Sequence, residues 1–572
     1  MKTTISQVDQ KLSPDWRWQA LEIFFIFLLL YLFVGSIPPD AGESHYLVKA
    51  KHYWNPDFCA GDLFLESPEA HLVFCWVFGW LTKFCSLDAT AWILRIIAWL
   101  GFAFAWQRLS LAIAPQRFWS ILSAGLMLAL LRNCHMSREL ILVGGVEAKV
   151  FAYVLVLLGM GELVRGRWNW AWAFMGAASA MHVIVGGWSG VALGVAWLVA
   201  PNDRPPLQKM LPGLACAFVL ALEGLIPGLM LTWGEEKANV NAAHQFYVFD
   251  RLPHHLVFHR FGNWYIARHL ALIACWGVLA WWSRPNKTDE ANRDGLIACR
   301  RMQRMALGAV FIAAMGIAID QGMVAWATAR GTSQEDYQSL AAPILRYYFF
   351  RLSDALVPMG VSLSVFALLL KWKETRPSLA SWGLIAALAI GFANIAEICV
   401  DHSLRPLPGA WLQPYPTRGS GLRAWQLLGA RGQEELAASR RRFEEWKDLC
   451  RWIKGNTPKD AKFITPRHQQ TFKWYAERGE VVTWKDIPQD AAGLIQWRKT
   501  LSEVFPPEGY GSDPAANSDA ELIAIARKHG ASYLVIDRTR VTRPIGLPRL
   551  RPDDEPLNPT YAIYLISQPA KP

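Results

Sequence analysis

The chain has no CxxC pair, no GxGxxG, no Walker motif, and no tandem repeat or low-complexity tract. Its nine cysteines are scattered singly, several of them (Cys59, Cys75, Cys85, Cys134) in or beside apolar runs, with no histidine at zinc-ligand spacing. That distribution argues against a disulfide framework and a structural zinc site, and fits small buried core residues. Without a glycine-rich phosphate loop, nucleotide binding has no support. Lys2 and Lys11 precede the first apolar run, but no small-residue cleavage site follows it, so that run is expected to stay as an anchor. Charged residues make up only 18% of the chain, and the net charge of +11 comes with no nucleic-acid motif. Basic residues in such a setting serve orientation and anionic headgroups rather than nucleic acid.

What the chain does have is apolar length. Hydrophobic residues reach 53%, there are 29 Trp, and the mean hydropathy is +0.16. Apolar runs recur through the first 400 positions, many of them long enough to cross a hydrocarbon core of ~30 Å as helices. The runs are 21–37, 89–106, 118–131, 150–164, 168–181, 185–200, 211–231, 267–282, 305–319, 355–370 and 380–400. Segment 71–87, rich in Trp and Phe and broken by Lys83, is expected to lie on the outer leaflet. If it crossed, the basic loop with Arg108 and Arg117 would be pushed outside. With that choice the short basic loops, including Arg165/Arg167, Arg284–Arg304 and Lys371–Arg376, all fall on one side. The positive-inside rule then gives about eleven spans, with a cytoplasmic N-terminus and an outer C-terminus.

Beyond position 400 the composition shifts. Residues 402–425 hold a Pro/Gly-rich stretch that reads as a linker. A charged helix is expected over 426–454, strands over 462–465, 480–484 and 533–537, and helices over 489–504 and 519–529, the last stopped by Gly530. The organisation expected is a membrane domain over 1–401, with an outer loop at 38–88, a linker over 402–425, and an α/β domain over 426–572.

The candidate chemistry lies in the outer segments. Loop 38–69 carries Asp40, Glu43, Asp57, Asp62, Glu66 and Glu69 among Tyr46, Tyr53 and Trp54. Such acids form either a solvated loop or a catalytic group at the membrane surface; Glu43 could instead pair with Lys49 or Lys51. Asp57 and Asp62 sit in turn-forming sequences, WNPD and AGD. His182 stands between two apolar runs, as a packing residue or facing a ligand. The 244–260 loop concentrates His244, Arg251, His254, His255, His259 and Arg260, and Arg346 and Arg351 stand before the tenth run. These groups suit a phosphate or pyrophosphate headgroup, or equally an anionic membrane surface. Arg467, His468 and Arg478 could contact an acceptor or lie on a solvated face.

These features resemble the GT-C class of membrane glycosyltransferases, best over the first 110 residues. An acidic first outer loop is followed by an interfacial helix and a span with an early arginine, Ala91-Trp92-Ile93-Leu94-Arg95. The chain also resembles uncharacterised multipass bacterial proteins with no established activity. The resemblance implies a polytopic α-helical membrane protein of GT-C-like architecture with a small extracytoplasmic α/β domain, in the inner (plasma) membrane. Lipid-linked aminoarabinose and mannosyl transferases of the class carry Asp-Glu, two residues, then Tyr or Phe. Glu43 and Tyr46 match that spacing, whereas Gly42 stands where the family's Asp is commonly the base. Asp40 and Glu43 are then the candidate catalytic carboxylates. Tyr46, His182, His244, His254, His255, Arg260, Arg346 and Arg351 are candidate substrate-binding residues. In oligosaccharide-transferring members an acid of the second outer loop binds a divalent metal. Glu147 resembles it in position, which implies Mg or Mn, with capping or pairing to Lys149 as the other reading. The implied partners are membrane lipid, a polyprenyl-phosphate-linked sugar donor, and an envelope glycan, lipid or protein acceptor. The alternatives are a non-catalytic or transport protein that binds a lipid-linked substrate, and a scaffold.

Overall fold

A backbone without access to water must satisfy its own hydrogen bonds, and each of the apolar runs does so as a single helix. The computed structural model describes residues 16–138, 145–285, 292–412, 428–506, 513–541, 543–550 and 558–566. In chain order the helices of the first part are α1 (Trp16–Val34), α2 (Glu43–Trp54), α3 (Leu87–Ile113), α4 (Trp119–Asn133), α5 (Ala148–Val164), α6 (Trp168–Met181) and α7 (Val183–Leu198). They continue with α8 (Leu207–Met230), α9 (Lys237–Gln245), α10 (Asn263–Trp282), α11 (Arg293–Arg330), α12 (Gln334–Leu345), α13 (Arg351–Thr375) and α14 (Pro377–Leu404). The protein is a polytopic α-helical membrane protein. Among the described residues seven helices are long and apolar enough to cross: α1, α3, α8, α10, α11, α13 and α14.

The count of about eleven is where length decides differently. The runs at 118–131, 150–164, 168–181 and 185–200 do become helices, α4 to α7, but these have 15, 17, 14 and 16 residues. At 1.5 Å per residue they are shorter than a ~30 Å core. The 305–319 run errs the other way. It is the middle of the 38-residue α11, about 57 Å long, whose end reaches well past the apolar stretch. The stretches that follow the 211–231 and 305–319 runs are also largely helical: 232–265 holds α9 and short turns, and 320–354 holds the end of α11 and α12.

The helix α13 is the axis of the bundle. In its apolar window 94% of the residues are buried, against 11% for α8 and 22% for α14. It packs against α4, α10, α11 and α14, which leaves the outer faces of α8 and α10 (Phe218, Val219, Leu229, Trp264, Trp281) exposed, as lipid-facing surfaces are. Segment 71–87 does not cross. It breaks into a short helix, Leu72–Val77, and a 3-10 turn, Gly79–Lys83, which packs on α2.

The C-terminal part is a small α/β unit. A helix, α15 (Ala430–Asn456), precedes β1 (Lys462–Ile464), α16 (Phe472–Ala476), β2 (Gly479–Glu480), α17 (Ala491–Val504), α18 (Asp519–His529), β3 (Tyr533–Asp537) and β4 (Tyr561–Leu565). The sheet order is β2-β1-β3-β4, with parallel pairs except β3–β4. The strand expected over 480–484 is correct only at its first residue; 481–486 leaves the sheet and runs towards the membrane domain. Gly530 stops α18 at φ 69°, as its sequence position implied. The expected linker 402–425 is helical to Leu404 and again over Gly409–Leu412; residues 413–425 lie outside the described residues.

Candidate active site

The loop after α1 turns back on itself at Glu43, the first residue of α2. Glu43 is fully buried, and its carboxylate is saturated. Arg95 of α3 donates Nε to Oε1 and Nη2 to Oε2, both at 2.6 Å. The backbone N–H of Asp40 donates to Oε2 (2.8 Å) and that of Val146 to Oε1 (3.0 Å). The lysines weighed as its partners are elsewhere: Lys49 donates to the Phe64 and Ser67 carbonyls, and Lys51 pairs with Glu477. An arginine inside an apolar helix needs an anion, so Arg95 is the signal in the sequence for this pair. With both oxygens held by a guanidinium fork and two amides, Glu43 has no capacity left to accept a substrate proton. It anchors the loop.

Asp40 lies against that anchor and is only 9% exposed. Burial, then the charge of Glu43, pushes its carboxyl up to about 6; Arg95 opposes this and Glu147 adds to it. The glycines explain how three acids come so close. A Cβ at Gly42 would lie 2.1 Å from Oε1 of Glu147, and one at Gly145 would lie 2.5 Å from Cγ of Glu43 and 2.7 Å from Cβ of Asp40. The place a residue-42 side chain would take is therefore filled by the carboxylate of Glu147, delivered from the loop before α5.

Tyr46, one turn into α2, leads to the cationic side. Its hydroxyl is 3.3 Å from His71 Nε2, and the rings of His71 and His182 are 5.0 Å apart. His182 Nε2 is 3.4 Å from Nη1 of Arg351, while its Nδ1 accepts the Val185 N–H at the start of α7. The guanidinium of Arg351 stacks on Tyr348 at 3.8 Å, whose hydroxyl meets that of Tyr247 at 2.9 Å. Tyr46, His182 and Arg351 thus form one chain of contacts that begins beside Glu147, whose charge acts on Tyr46.

Other expected binding residues fall outside that chain. Arg346 bonds to His244, and burial followed by the Arg346 charge lowers His244 to about 4, so it is neutral at physiological pH and is no phosphate cation. His255 Nδ1 is 2.7 Å from the Ser137 carbonyl, and His254 stacks on His255. Arg260 is exposed near Tyr337, which donates to the buried Asp320, also bonded to His259.

The C-terminal domain closes over the loop. Lys473 of α16, buried, pairs with Asp62 (3.1 Å), Glu480 (2.8 Å) and Asp486 (2.6 Å), and Asp486 also reaches His45 at 3.3 Å. Asp62 does cap the Leu63–Glu66 helix, as its turn sequence implied, and also accepts the Glu480 N–H. Arg478 closes the end of α15 by donating to the Lys454 and Thr457 carbonyls, a structural role. Arg467 and His468 flank Trp484.

The described residues do not build a divalent-metal site around Glu147. Its carboxylate pairs with the ammonium of Lys149 at 3.1 Å, and among the described residues no trio of His, Cys, Asp or Glu is placed to hold an ion.

Residues 444–504 match a protein family described as a domain of unknown function (DUF6798). No curated protein matches the chain. Among the solved structures similar to it are an oligosaccharyltransferase and ArnT. An oligosaccharyltransferase from Archaeoglobus fulgidus, tethered to an acceptor peptide containing the NVT sequon, has 11% identity and a TM-score of 0.42, covering 91% of this chain and 69% of that one. ArnT from Cupriavidus metallidurans, bound to undecaprenyl phosphate, has 13% identity and a TM-score of 0.40, covering 96% and 99%.

Proposed function

We propose that the protein is a membrane glycosyltransferase that moves a sugar from a polyprenyl-phosphate-linked donor to an envelope acceptor on the outer face of the membrane. The observation that carries this reading is Asp40: a buried carboxyl at about 6, held by a saturated Glu43–Arg95 pair and followed within a few side chains by a buried arginine. A base with a pKa near the working pH combines the right protonation state with proton affinity. Asp40 accepts the proton of the acceptor hydroxyl as its oxygen bonds to the sugar's anomeric carbon, and the bond from that carbon to the phosphate oxygen breaks. The negative charge on the departing lipid phosphate is met by Arg351, with His182 beside it. Glu43 and Arg95 position the base, and Glu147 raises its proton affinity.

The location suits the donor. A polyprenyl tail costs ~0.8 kcal/mol per CH₂ to withdraw from an apolar phase, so the reacting group must stay at the boundary where α1 ends and α2 begins. Basic short loops on the opposite side support a cytoplasmic N-terminus and an outer C-terminal domain. A reporter fused after Pro572 that is active only outside the cytoplasm is the matching result for that orientation.

The decisive experiment is Asp40→Asn in the purified, reconstituted protein with a lipid-linked sugar. Transfer is expected to fall by ~10²–10⁴, while folded protein is recovered in normal amount and a deletion strain accumulates a polyprenyl-phosphate sugar. Transfer at the wild-type rate by the Asn variant removes Asp40 as base. No transfer by the wild type with any lipid-linked sugar leaves a lipid-binding protein instead.

A further inference from the structure

Asp40 is held at both ends. Its backbone belongs to the start of α2: the Asp40 carbonyl accepts the Glu43 and Ser44 N–H groups (3.0 and 3.3 Å), and its own N–H donates to Glu43 Oε2. Those bonds leave the side-chain torsions undetermined, and two glycines from distant segments settle them. Gly145 backs the side chain, since a Cβ there would lie 2.7 Å from Cβ of Asp40. Gly409 meets the head of it: a Cβ there would fall on Oδ1 and lie 2.9 Å from Cγ. Only a residue without a side chain lets a backbone come so close to this carboxyl.

Gly409 is delivered by segment 405–412, which follows α14 and ends in the short turn Gly409–Leu412. On one side this segment is bonded to the loop after α1, where the Ala410 N–H donates to the Pro39 carbonyl at 3.1 Å. Its other side belongs to the C-terminal domain. Gln470, between β1 and α16, donates Nε2 to the Ala410 carbonyl at 2.6 Å. Arg440 of α15 donates to the Leu404 carbonyl at 2.8 Å. Trp411 donates to Ser439 Oγ at 3.4 Å and packs on Phe443 with ring centres 5.2 Å apart. Leu407 and Trp411 are buried in one apolar cluster with Trp446 and Phe472. Residues 409 to 411 therefore touch, in turn, the carboxyl, the loop that carries it and the C-terminal domain.

A carboxyl wedged between two backbones keeps one orientation and loses water, and loss of water disfavours its charged form. The charged groups that face Asp40 among the described residues are Glu43, Arg95 and Glu147. None of them lies in 405–412, so this segment acts on Asp40 through shape and hydration. We propose that segment 405–412 is a positioning strap: held by the C-terminal domain, it presses Gly409 against the Asp40 carboxyl, fixes its orientation and keeps water from it. The role of Asp40 as base rests on the glycosyltransferase reading; the strap itself does not. On this assignment Gly409 is a positioning residue, and the C-terminal domain acts on the reaction through it.

Two double-variant cycles in the full chain, read by thermal unfolding in detergent, test the strap without any substrate. In the first, Gly409→Ala is expected to melt lower than wild type, and most of that loss to vanish when Asp40→Ala empties the space the new methyl needs. In the second, Gln470→Leu loosens the strap from the C-terminal domain and leaves the acid cluster intact. With Asp40 raised from 3.8 to about 6, Asp40→Asn melts above wild type at pH 8 and level with it at pH 5. In the Gln470→Leu background water returns to Asp40, its carboxyl moves back towards 3.8, and the gap at pH 8 shrinks. A strap that only supports the fold lowers both members of each pair equally. Equal losses from Gly409→Ala in both backgrounds, or a pH 8 gap that Gln470→Leu leaves unchanged, overturn the proposal. If Gly409→Ala yields no folded protein, the Gln470→Leu cycle decides alone. In transfer assays Gly409→Ala is expected to lower kcat by about 10² with little change in KM, and Gln470→Leu to carry the acid limb of the rate below pH 6. Wild-type transfer with uncoupled melts overturns the strap alone. Coupled melts in a chain that transfers no sugar uphold the strap and overturn the enzyme reading.

Discussion

Two buried clusters in this protein each contain three carboxylates, and they are wired differently. In the loop cluster, Arg95 gives its whole fork to Glu43, and Asp40 is left beside it at about 6. In the seam cluster, Lys473 is a point charge shared among Asp62, Glu480 and Asp486. Burial raises Asp486, but Lys473 and His45 outweigh it and bring it to about 2, while burial wins at Glu480 and carries it to about 7. A planar bidentate donor satisfies one acid and leaves its neighbour basic; a spherical donor spreads its charge and locks surfaces together. The first arrangement suits proton transfer, the second suits docking of the C-terminal domain on the first loop.

Breaking the fork should have the largest effect on stability. Arg95→Met strands a buried Glu43, at a cost of about 3–5 kcal/mol, and the double variant with Glu43→Gln should recover part of it; thermal unfolding in detergent measures both. If the single variant melts like wild type, Glu43 is not an anchor. Lys473→Met should cost somewhat less, because Asp62 keeps the Phe64 and Leu65 amides and Glu480 keeps Thr465. Its specific sign should be faster proteolysis at the seam, with the bundle intact.

Next comes an exchange that would put an acid at position 42. Gly42→Asp brings a side chain into the space of the Glu147 carboxylate, so it should destabilise by about 1–3 kcal/mol and lower transfer instead of raising it. Higher transfer would mean that the Glu147 carboxylate does not need that space.

The smallest effects are those of pH, and they differ in sign. Asp40 is raised above its usual 3.8, so its contribution to stability is full below that value and is lost as pH rises through about 6. Asp40→Asn should then melt higher than wild type at pH 8, with the gap closing by pH 5, while wild-type transfer falls as pH drops below about 6. At the seam, Asp486 stabilises above its usual 3.8 and loses that contribution as pH falls through about 2. Glu480 contributes below 4.5 and loses it as pH rises through about 7. Protection of the seam from proteolysis should therefore be greater at pH 5 than at pH 8.

Much of this protein could be read from residue order, because a helix in lipid is a local solution. Apolar length and the basic loops between runs are enough to give the helices, and turn chemistry at Gly530 and Asp62 is equally local. Reading failed where length competed with packing. The helices α4 to α7 are shorter than the rest although their apolar runs look alike, and α11 outruns its apolar stretch because polar residues can continue a helix once neighbours cover it. The Glu43-to-Tyr46 spacing drew attention to the loop after α1. The roles of the two acids depend on who donates to each, and Arg95 is 52 residues away.

Residue order by itself determined a bundle of apolar helices, an acidic first loop and a separate α/β end, since burial in lipid and hydrogen bonding along one segment need no distant partner. Tertiary structure alone decided which carboxylate is saturated and which is left basic, that Glu147 occupies the space above Gly42, and that Lys473 of the C-terminal domain pairs with Asp62 of the first loop. Those are questions of charge and space between segments far apart in the chain, and only folding brings them within bonding distance.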